Sequence, residues 1–218
     1  MYFRDRQEAG QKLAKQLAKY RYENTAVLAL SDGGVAVGDQ IARALHCTLS
    51  LLLIEPIKLA GLGDLEIGLM DEVGHFTFNS MISPGALEDY MVDMRVELEE
   101  EKMRTLYRIT KALGTKNIIN PQVFYGYNVI IVSDGLSSGA SFDAAINFLK
   151  PVKTERIIGA VPIVSVPAVD RLHILCDELQ ILSVIDNYMG TEHYYEINDI
   201  PNSKDIIDAL QGVVSKWQ

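Results

Sequence analysis

Apolar residues recur along the chain in two alternating rhythms, one of period near 3.6 and one of short buried runs. Residues 5–20 place Ala9, Leu13, Leu17 and Tyr20 at helical spacing, with Lys12, Lys15 and Lys19 elsewhere on the surface. Residues 25–31, Thr-Ala-Val-Leu-Ala-Leu-Ser, read as a buried strand that runs into Asp32-Gly33-Gly34. A helix is expected from Val35 to about His46 and a second buried strand from Leu49 to Ile54. Strand, helix and strand in that order imply parallel pairing through a right-handed crossover. The middle differs: Leu65–Met70 and His75–Asn79 predict a hairpin around Asp71-Glu72-Val73-Gly74. Pro84-Gly85 then opens a long charged helix to about Leu113, stopped by Gly114, with Glu97–Glu101 as a solvated face. From Asn128 the alternation resumes, with a strand to Ser133, helix 140–149, strand 156–164, helix 167–175 and strand 178–184. Pro201-Asn202-Ser203 caps a last helix to Trp217. The expectation is one α/β domain over 1–218. It is a mostly parallel twisted sheet with helices on both faces, and residues 55–120 are an inserted hairpin and long helix.

Composition narrows the chemistry. With 48% hydrophobic and 22% charged residues the 218-residue chain is ordinary globular material. The formal net charge is −9 and no Lys/Arg-rich run interrupts it, which argues against a nucleic-acid surface. An anionic ligand would need backbone N–H groups, local cations or a metal ion. Cys47 and Cys176 match no metal motif and make no disulfide framework, so both read as buried small hydrophobes. The charged start, Met-Tyr-Phe-Arg-Asp-Arg, lacks the apolar stretch of a signal peptide, and runs such as Leu49–Ile54 are too short to span a bilayer. A soluble cytoplasmic protein, with no membrane partner, is expected.

In an open α/β sheet ligands collect at the carboxyl ends of the strands. Two Gly-rich loops fall there: Ser31-Asp32-Gly33-Gly34 and Ser133-Asp134-Gly135-Leu136-Ser137-Ser138-Gly139-Ala140-Ser141. The second has the stronger physical case. Its glycines permit close backbone approach, the following helix aims free N–H groups and its positive end into the loop, and three serines add hydroxyl donors. Asp134 at the strand tip is suited to accept from sugar hydroxyls or to help hold Mg²⁺. A plain turn with an Asp/Ser helix cap is the bland alternative. A Walker loop is rejected because no lysine stands in the segment. Gly135-Leu136-Ser137-Ser138-Gly139 does fit the G-x-S-x-G nucleophile elbow, with Asp170, Asp177 or Asp186 before His193 in the required order. A serine hydrolase using Ser137 is therefore one reading. His46, His75 and His173 read as structural, and Tyr188, Tyr194 and Tyr195 as edge packing or a stacking surface for a base.

The pattern of four apolar residues, an acidic pair, Gly or apolar, apolar, two small polar residues, Gly, any residue and then Ser or Thr, followed by 129–141 except at Ser133, resembles the phosphoribosyl-pyrophosphate loop of type I phosphoribosyltransferases. Phe3-Arg4-Asp5-Arg6 with Ala9-Gly10 and Leu13-Ala14, Gly33-Gly34-Val35 with Val37 and Ile41-Ala42, and Glu66-Ile67-Gly68 are similar to a bacterial subgroup of that family. Ala160-Val161-Pro162 and Cys176-Asp177-Glu178 extend the likeness. The resemblance implies a small-molecule phosphoribosyl or nucleotide ligand, Mg²⁺, and transfer of phosphoribose to a nitrogenous base with release of pyrophosphate. Asp134 would contact the ribose hydroxyls and the metal, and Gly135, Leu136, Ser137, Ser138, Gly139, Ala140 and Ser141 would hold the 5-phosphate. Ser137 falls where relatives place a base-assisting residue, although serine is a poor general base. Ser31, Asp32, Gly33 and Gly34 would cradle pyrophosphate, Glu66 with the hairpin and long helix would form a hood, and many proteins of this fold form homodimers. The chain departs from the pattern at Ser133, where an acidic residue is usual, at Asp32, where the subgroup carries Arg, and at Glu55, where it has a basic pair. Each change in the last two lowers positive charge beside the leaving group, which leaves open a second reading: a ligand-binding or regulatory module on the same fold without turnover.

Overall fold

The computed structural model of the protein describes residues 3–59, 65–113 and 118–212. Among the described residues the strands are β1 (Thr25–Ala29), β2 (Thr48–Leu51), β3 (Ile54–Lys58), β4 (Glu66–Asp71), β5 (Phe76–Phe78), β6 (Asn128–Val132), β7 (Arg156–Ser165) and β8 (Glu178–Ile185). The helices are α1 (Arg6–Gln16), α2 (Asp32–Leu45), α3 (Pro84–Asp93), α4 (Arg95–Leu113), α5 (Ala140–Leu149), α6 (Val166–Leu175) and α7 (Ser203–Gly212).

Five strands form a parallel sheet in the order β2-β1-β6-β7-β8. Its central strands are apolar on both faces because helices cover both, which is why 129–132 reads as an unbroken Val-Ile-Ile-Val. Alternate residues go to opposite sides. Val27, Ala29, Ile130 and Val132 pack with Leu13, Ile41 and Ile206 from α1, α2 and α7. Ala26, Leu28, Val129 and Ile131 pack with Phe142, Phe148 and Leu172 from α5 and α6. Each such large side chain contributes about 1.5–3 kcal/mol relative to exposure. The chain turns to one side of β1 for β2 and to the other for β6, so the strand order reverses between the carboxyl ends of β1 and β6. That is where both Gly-rich loops emerge.

Between β2 and β6 the chain builds a second, antiparallel sheet in the order β3-β4-β5, roofed by α4, whose Leu98 and Ile109 pack on Ile57, Ile67 and Met70. The hairpin turn expected at residues 71–74 is present, with Gly74 at φ 87. Glu72 in that turn is buried, and its carboxylate accepts from Leu53 N at 3.1 Å and from Ile119 N at 2.6 Å. One side chain therefore ties the entry and exit of the insertion together. Burial pushes the Glu72 and Asp71 carboxyls above their ordinary values, with backbone N–H donors opposing the shift. The insertion also grips α5: Ser80 Oγ donates to Asp143 Oδ2 at 2.7 Å, and Asn147 Nδ2 donates to Thr77 Oγ1 at 3.0 Å.

Several expected boundaries move. The apolar run Leu49–Ile54 is not one strand: β2 ends at Leu51 and β3, in the other sheet, starts at Ile54. The long helix from Pro84 is two, parted at Met94 with φ −121 and ψ 28. The first helix ends at Gln16 and gives way to a 3₁₀ turn over Ala18–Tyr22. The second begins at Asp32 rather than Val35, because Ser31 caps it. Gly114 and the stretch of the last helix from residue 213 to Trp217 lie outside the described residues.

Candidate functional site

Two helices, α2 and α5, follow the loops at the carboxyl ends of the neighbouring strands β1 and β6. At the first, extended Ser31 (φ −156, ψ 164) accepts from Gly34 N at 2.9 Å through its hydroxyl oxygen, and that turn launches α2. The same hydroxyl donates to Asp134 Oδ1 at 2.9 Å. Asp134, at the tip of β6 and only 8% exposed, receives Arg6 Nε on its other oxygen at 2.8 Å. Arg6 is 2% exposed and is placed by α1, whose N-cap Asp5 accepts from Glu8 N at 2.7 Å. Its guanidinium lies 4.5 Å from the centre of the Tyr195 ring and also donates to Asn198 Oδ1 at 2.8 Å. The Tyr195 hydroxyl closes the network by donating to the Asp134 carbonyl at 2.6 Å, and burial, with the Asp134 charge second, raises its pKa so that it stays a donor.

This network explains the first glycine. A Cβ at Gly33 would collide with the Asp134 carboxylate and come within 2.7 Å of Arg6 Nε. Asp32 is exposed in the first turn of α2. Ser31, Gly33 and Gly34 therefore have packing duties that hold whether or not pyrophosphate binds there.

The second loop is shaped by its neighbours. Leu136 N donates to Ile163 O at 2.9 Å and Ser165 N to Leu136 O at 2.9 Å, so the loop borrows one rung of pairing from β7. Ser165 Oγ donates to Ser137 O at 2.8 Å and Ser133 Oγ to Gly135 O at 3.0 Å. A Cβ at Gly135 would lie 2.5 Å from the Tyr188 hydroxyl, which itself bonds Thr191 Oγ1 at 2.7 Å; burial pushes the Tyr188 pKa up to about 12. Beyond this braced stretch, Gly139 caps α5 without a side chain, so the first N–H groups of α5, at Ala140 and Ser141, receive no side-chain cap. Ser137 is exposed and Ser138 and Ser141 are half-buried around them. Fixed backbone, uncapped N–H groups, a helix dipole and three hydroxyls together suit a phosphate-sized anion.

The metal assignment of Asp134 meets a different outcome. Its carboxylate is shared between the Arg6 cation and the Ser31 hydroxyl, and position 133 is a serine. Among the described residues no group of three or more His, Cys, Asp or Glu side chains converges on a metal-sized point. A guanidinium bound to the carboxylate at 2.8 Å competes with Mg²⁺ for its oxygens and repels the cation. These residues do not fit a Mg²⁺ site of their own. Each Asp134 oxygen retains a lone pair, however, so a ribose hydroxyl can still donate to it.

Arg6, Tyr195, Asp143 and Arg171 enter the site's framework without having been singled out for it. Arg171 of α6 grips Asp143 in the first turn of α5 through Nε and Nη2. The only signal for Arg6 was its place in the Phe3–Arg6 stretch, and 128 residues separate it from Asp134. Tyr194 and Tyr195 are buried against Phe3 and Ile163 rather than offered for stacking. Exposed His193 stands edge-on to Tyr194, with ring centres 5.3 Å apart. His46 closes α2 at φ 57, and His75 lies 3.3 Å from Asp71.

The family model described as Phosphoribosyl transferase domain matches residues 4–189. Two Mycobacterium tuberculosis proteins, from strains CDC 1551 and H37Rv and both named "Putative phosphoribosyl transferase", are 28% identical to the chain over 183 residues. The match takes in 83% of this chain but only 40% of those relatives' length. The crystal structure of TT1426 from Thermus thermophilus is similar with a TM-score of 0.72 and 29% identity, covering 100% of this chain and 99% of that one.

Proposed function

The chain belongs to the phosphoribosyl transferase domain family, and from that premise we propose that it binds phosphoribosyl pyrophosphate or a nucleoside monophosphate by its ribose 5-phosphate. The observation that carries this reading is the uncapped start of α5 beside Ser137, Ser138 and Ser141, on a loop already pinned to β7. The 5-phosphate would take the free N–H groups of Gly139–Ser141 and the serine hydroxyls, at little further ordering cost because the loop is pre-formed. Asp134, held by Arg6 and Ser31, would accept from a ribose hydroxyl. The reaction open to such a complex is displacement of pyrophosphate from C1 by a ring nitrogen of a base. The C1–O bond breaks, the C1–N bond forms, pyrophosphate leaves with the electron pair, and the ring N–H proton passes to solvent. The protein's share is positioning and charge placement rather than a covalent intermediate.

A second reading, binding without turnover, has its own support. Arg6, the cation that touches the first loop, is spent on Asp134, and the exposed first-turn residue there is the anion Asp32. A good donor missing from the leaving-group side costs about 2.7–4 kcal/mol in the transition state. The hydrolase reading gains nothing: Ser137 is exposed and is tied through its carbonyl to Ser165. Incubation with phosphoribosyl pyrophosphate and a panel of purine and pyrimidine bases, with and without Mg²⁺, tests the choice. Pyrophosphate release with one base supports transfer, binding without release selects the second reading, and no binding of any phosphoribosyl compound contradicts both.

A further inference from the structure

The start of α5 sets two negative charges in competition. Its uncapped N–H groups and helix dipole suit a phosphate, yet Asp143 stands in the same first turn. Asp143 lies one turn beyond Gly139, a rise of about 6 Å along the helix axis. At an effective dielectric of about 20, an unbalanced carboxylate at that range weakens phosphate binding about tenfold or more.

Arg171 of α6 balances it. Its Nε donates to Asp143 Oδ1 at 3.0 Å and to Oδ2 at 3.1 Å, and its Nη2 donates to Oδ1 as well. Ser80 Oγ, from the insertion, donates to Oδ2 at 2.7 Å, so both carboxylate oxygens are occupied. The Asp143 side chain is 7% exposed, and salt screens such a pair weakly. The Arg171 stem has a second contact. A Cβ on Gly139 would lie 2.4 Å from its Cγ and 2.7 Å from its Cβ, so the stem fills the space beside the residue that opens α5. Ser165, the N-cap of α6, donates to Ser137 O in the same loop. Helix α6 thus holds the loop at two points, through its cap and through Arg171.

We infer that Arg171 is a positioning residue for the anion site: it holds Asp143 to the side of α5 as a neutral pair and leaves the helix start free to take phosphate. The inference rests on the ribose 5-phosphate reading and needs no contact between Arg171 and the ligand. An ion pair that only fastens α5 to α6 suffers alike from the loss of either partner. A pair that balances charge does not: without the cation a negative charge is left beside the phosphate, and without the carboxylate a positive one.

Calorimetric titration with ribose 5-phosphate separates the two. Arg171→Met keeps an apolar stem against Gly139 and should lower the affinity about tenfold or more. Asp143→Asn breaks the same ion pair, keeps an acceptor for Ser80, and should raise the affinity several-fold. The double variant should return close to the wild-type value, and Arg171→Lys, which retains the charge, should keep most of the affinity. If Arg171→Met fails to fold, Asp143→Asn and Arg171→Lys carry the test. Lower affinity in Asp143→Asn, a loss in Arg171→Lys as large as in Arg171→Met, or a double variant no better than Arg171→Met overturns the inference and leaves the pair as a brace. A wild-type chain that binds no ribose 5-phosphate contradicts the binding reading itself, and this inference with it.

Discussion

Replacing Arg6 with methionine probes the network behind the proposed site. Methionine keeps the length and apolar stem but removes the guanidinium, which is 2% exposed. Asp134 would be left with Ser31 as its side-chain donor in a position whose side chain is only 12% exposed. Removing one partner of a buried ion pair costs about 3–5 kcal/mol, since the remaining charge keeps its desolvation penalty. Loss of the Tyr195 contact at 4.5 Å adds about 0.5–2 kcal/mol. With roughly 2–4 °C of Tm per kcal/mol in a chain of this size, the ion-pair loss alone predicts a fall of roughly 6–20 °C. Thermal unfolding followed by circular dichroism measures the fall in Tm, and urea unfolding the free energy itself. The decisive comparison is Arg6→Met with Asp134→Asn, which removes the orphaned charge and keeps an acceptor for Ser31. The pair should be more stable than Arg6→Met alone by about 1–3 kcal/mol. A loss below about 1 kcal/mol for Arg6→Met, or strictly additive effects in the double variant, would refute the view that this pair holds the strand tip.

Other expectations follow from the same geometry. Gly33→Ala should destabilise by about 1–3 kcal/mol through collision with Asp134, whereas Gly85→Ala, with open space around its Cβ, should be neutral or stabilising; equal effects in thermal melts would contradict the packing argument. Burial raises the Glu72 carboxyl above its usual 4.5, so the folded state holds that proton more tightly than the unfolded chain. Wild-type stability should therefore rise relative to Glu72→Gln as pH falls from neutral through the raised value toward 4.5, where the unfolded acid protonates as well; a pH-independent difference would count against it. Asp32→Arg exchanges an anion for a cation at the start of α2 and should strengthen pyrophosphate affinity several-fold by calorimetry; an unchanged affinity would show that this loop does not face the ligand.

The parallel core was legible because helix-covered strands must be apolar on both faces, and Val129–Val132 and Ala26–Ala29 carry that signature without polar interruption. The same property hid the passage from β2 to β3. A run from Leu49 to Ile54 broken only by Ser50 cannot reveal that its two ends belong to different sheets, and the Glu72 carboxylate that holds Leu53 N between them lies 19 residues away. The break at Met94 carries neither proline nor glycine, so no local residue marked it. At the site, the loop Ser133–Ser141 and its helix were visible in glycines, serines and strand-to-helix spacing. What occupies Asp134 was not. Arg6, Ser31 and Tyr195 reach it from three distant segments, and no periodicity encodes such a meeting. The glycines at 33 and 34 were read as a cradle for a ligand, and Gly33 also makes room for an internal ion pair.

The most direct test of the central claim is calorimetric titration of the wild-type chain with a nucleoside monophosphate and with the matching nucleoside, repeated on Ser138→Ala combined with Ser141→Ala. Binding through the 5-phosphate at the start of α5 predicts that the monophosphate binds, the nucleoside does not, and the double serine variant loses about 1–3 kcal/mol of the affinity. Equal binding of the two ligands, or monophosphate binding untouched by the serine substitutions, would place the phosphate elsewhere and contradict the account.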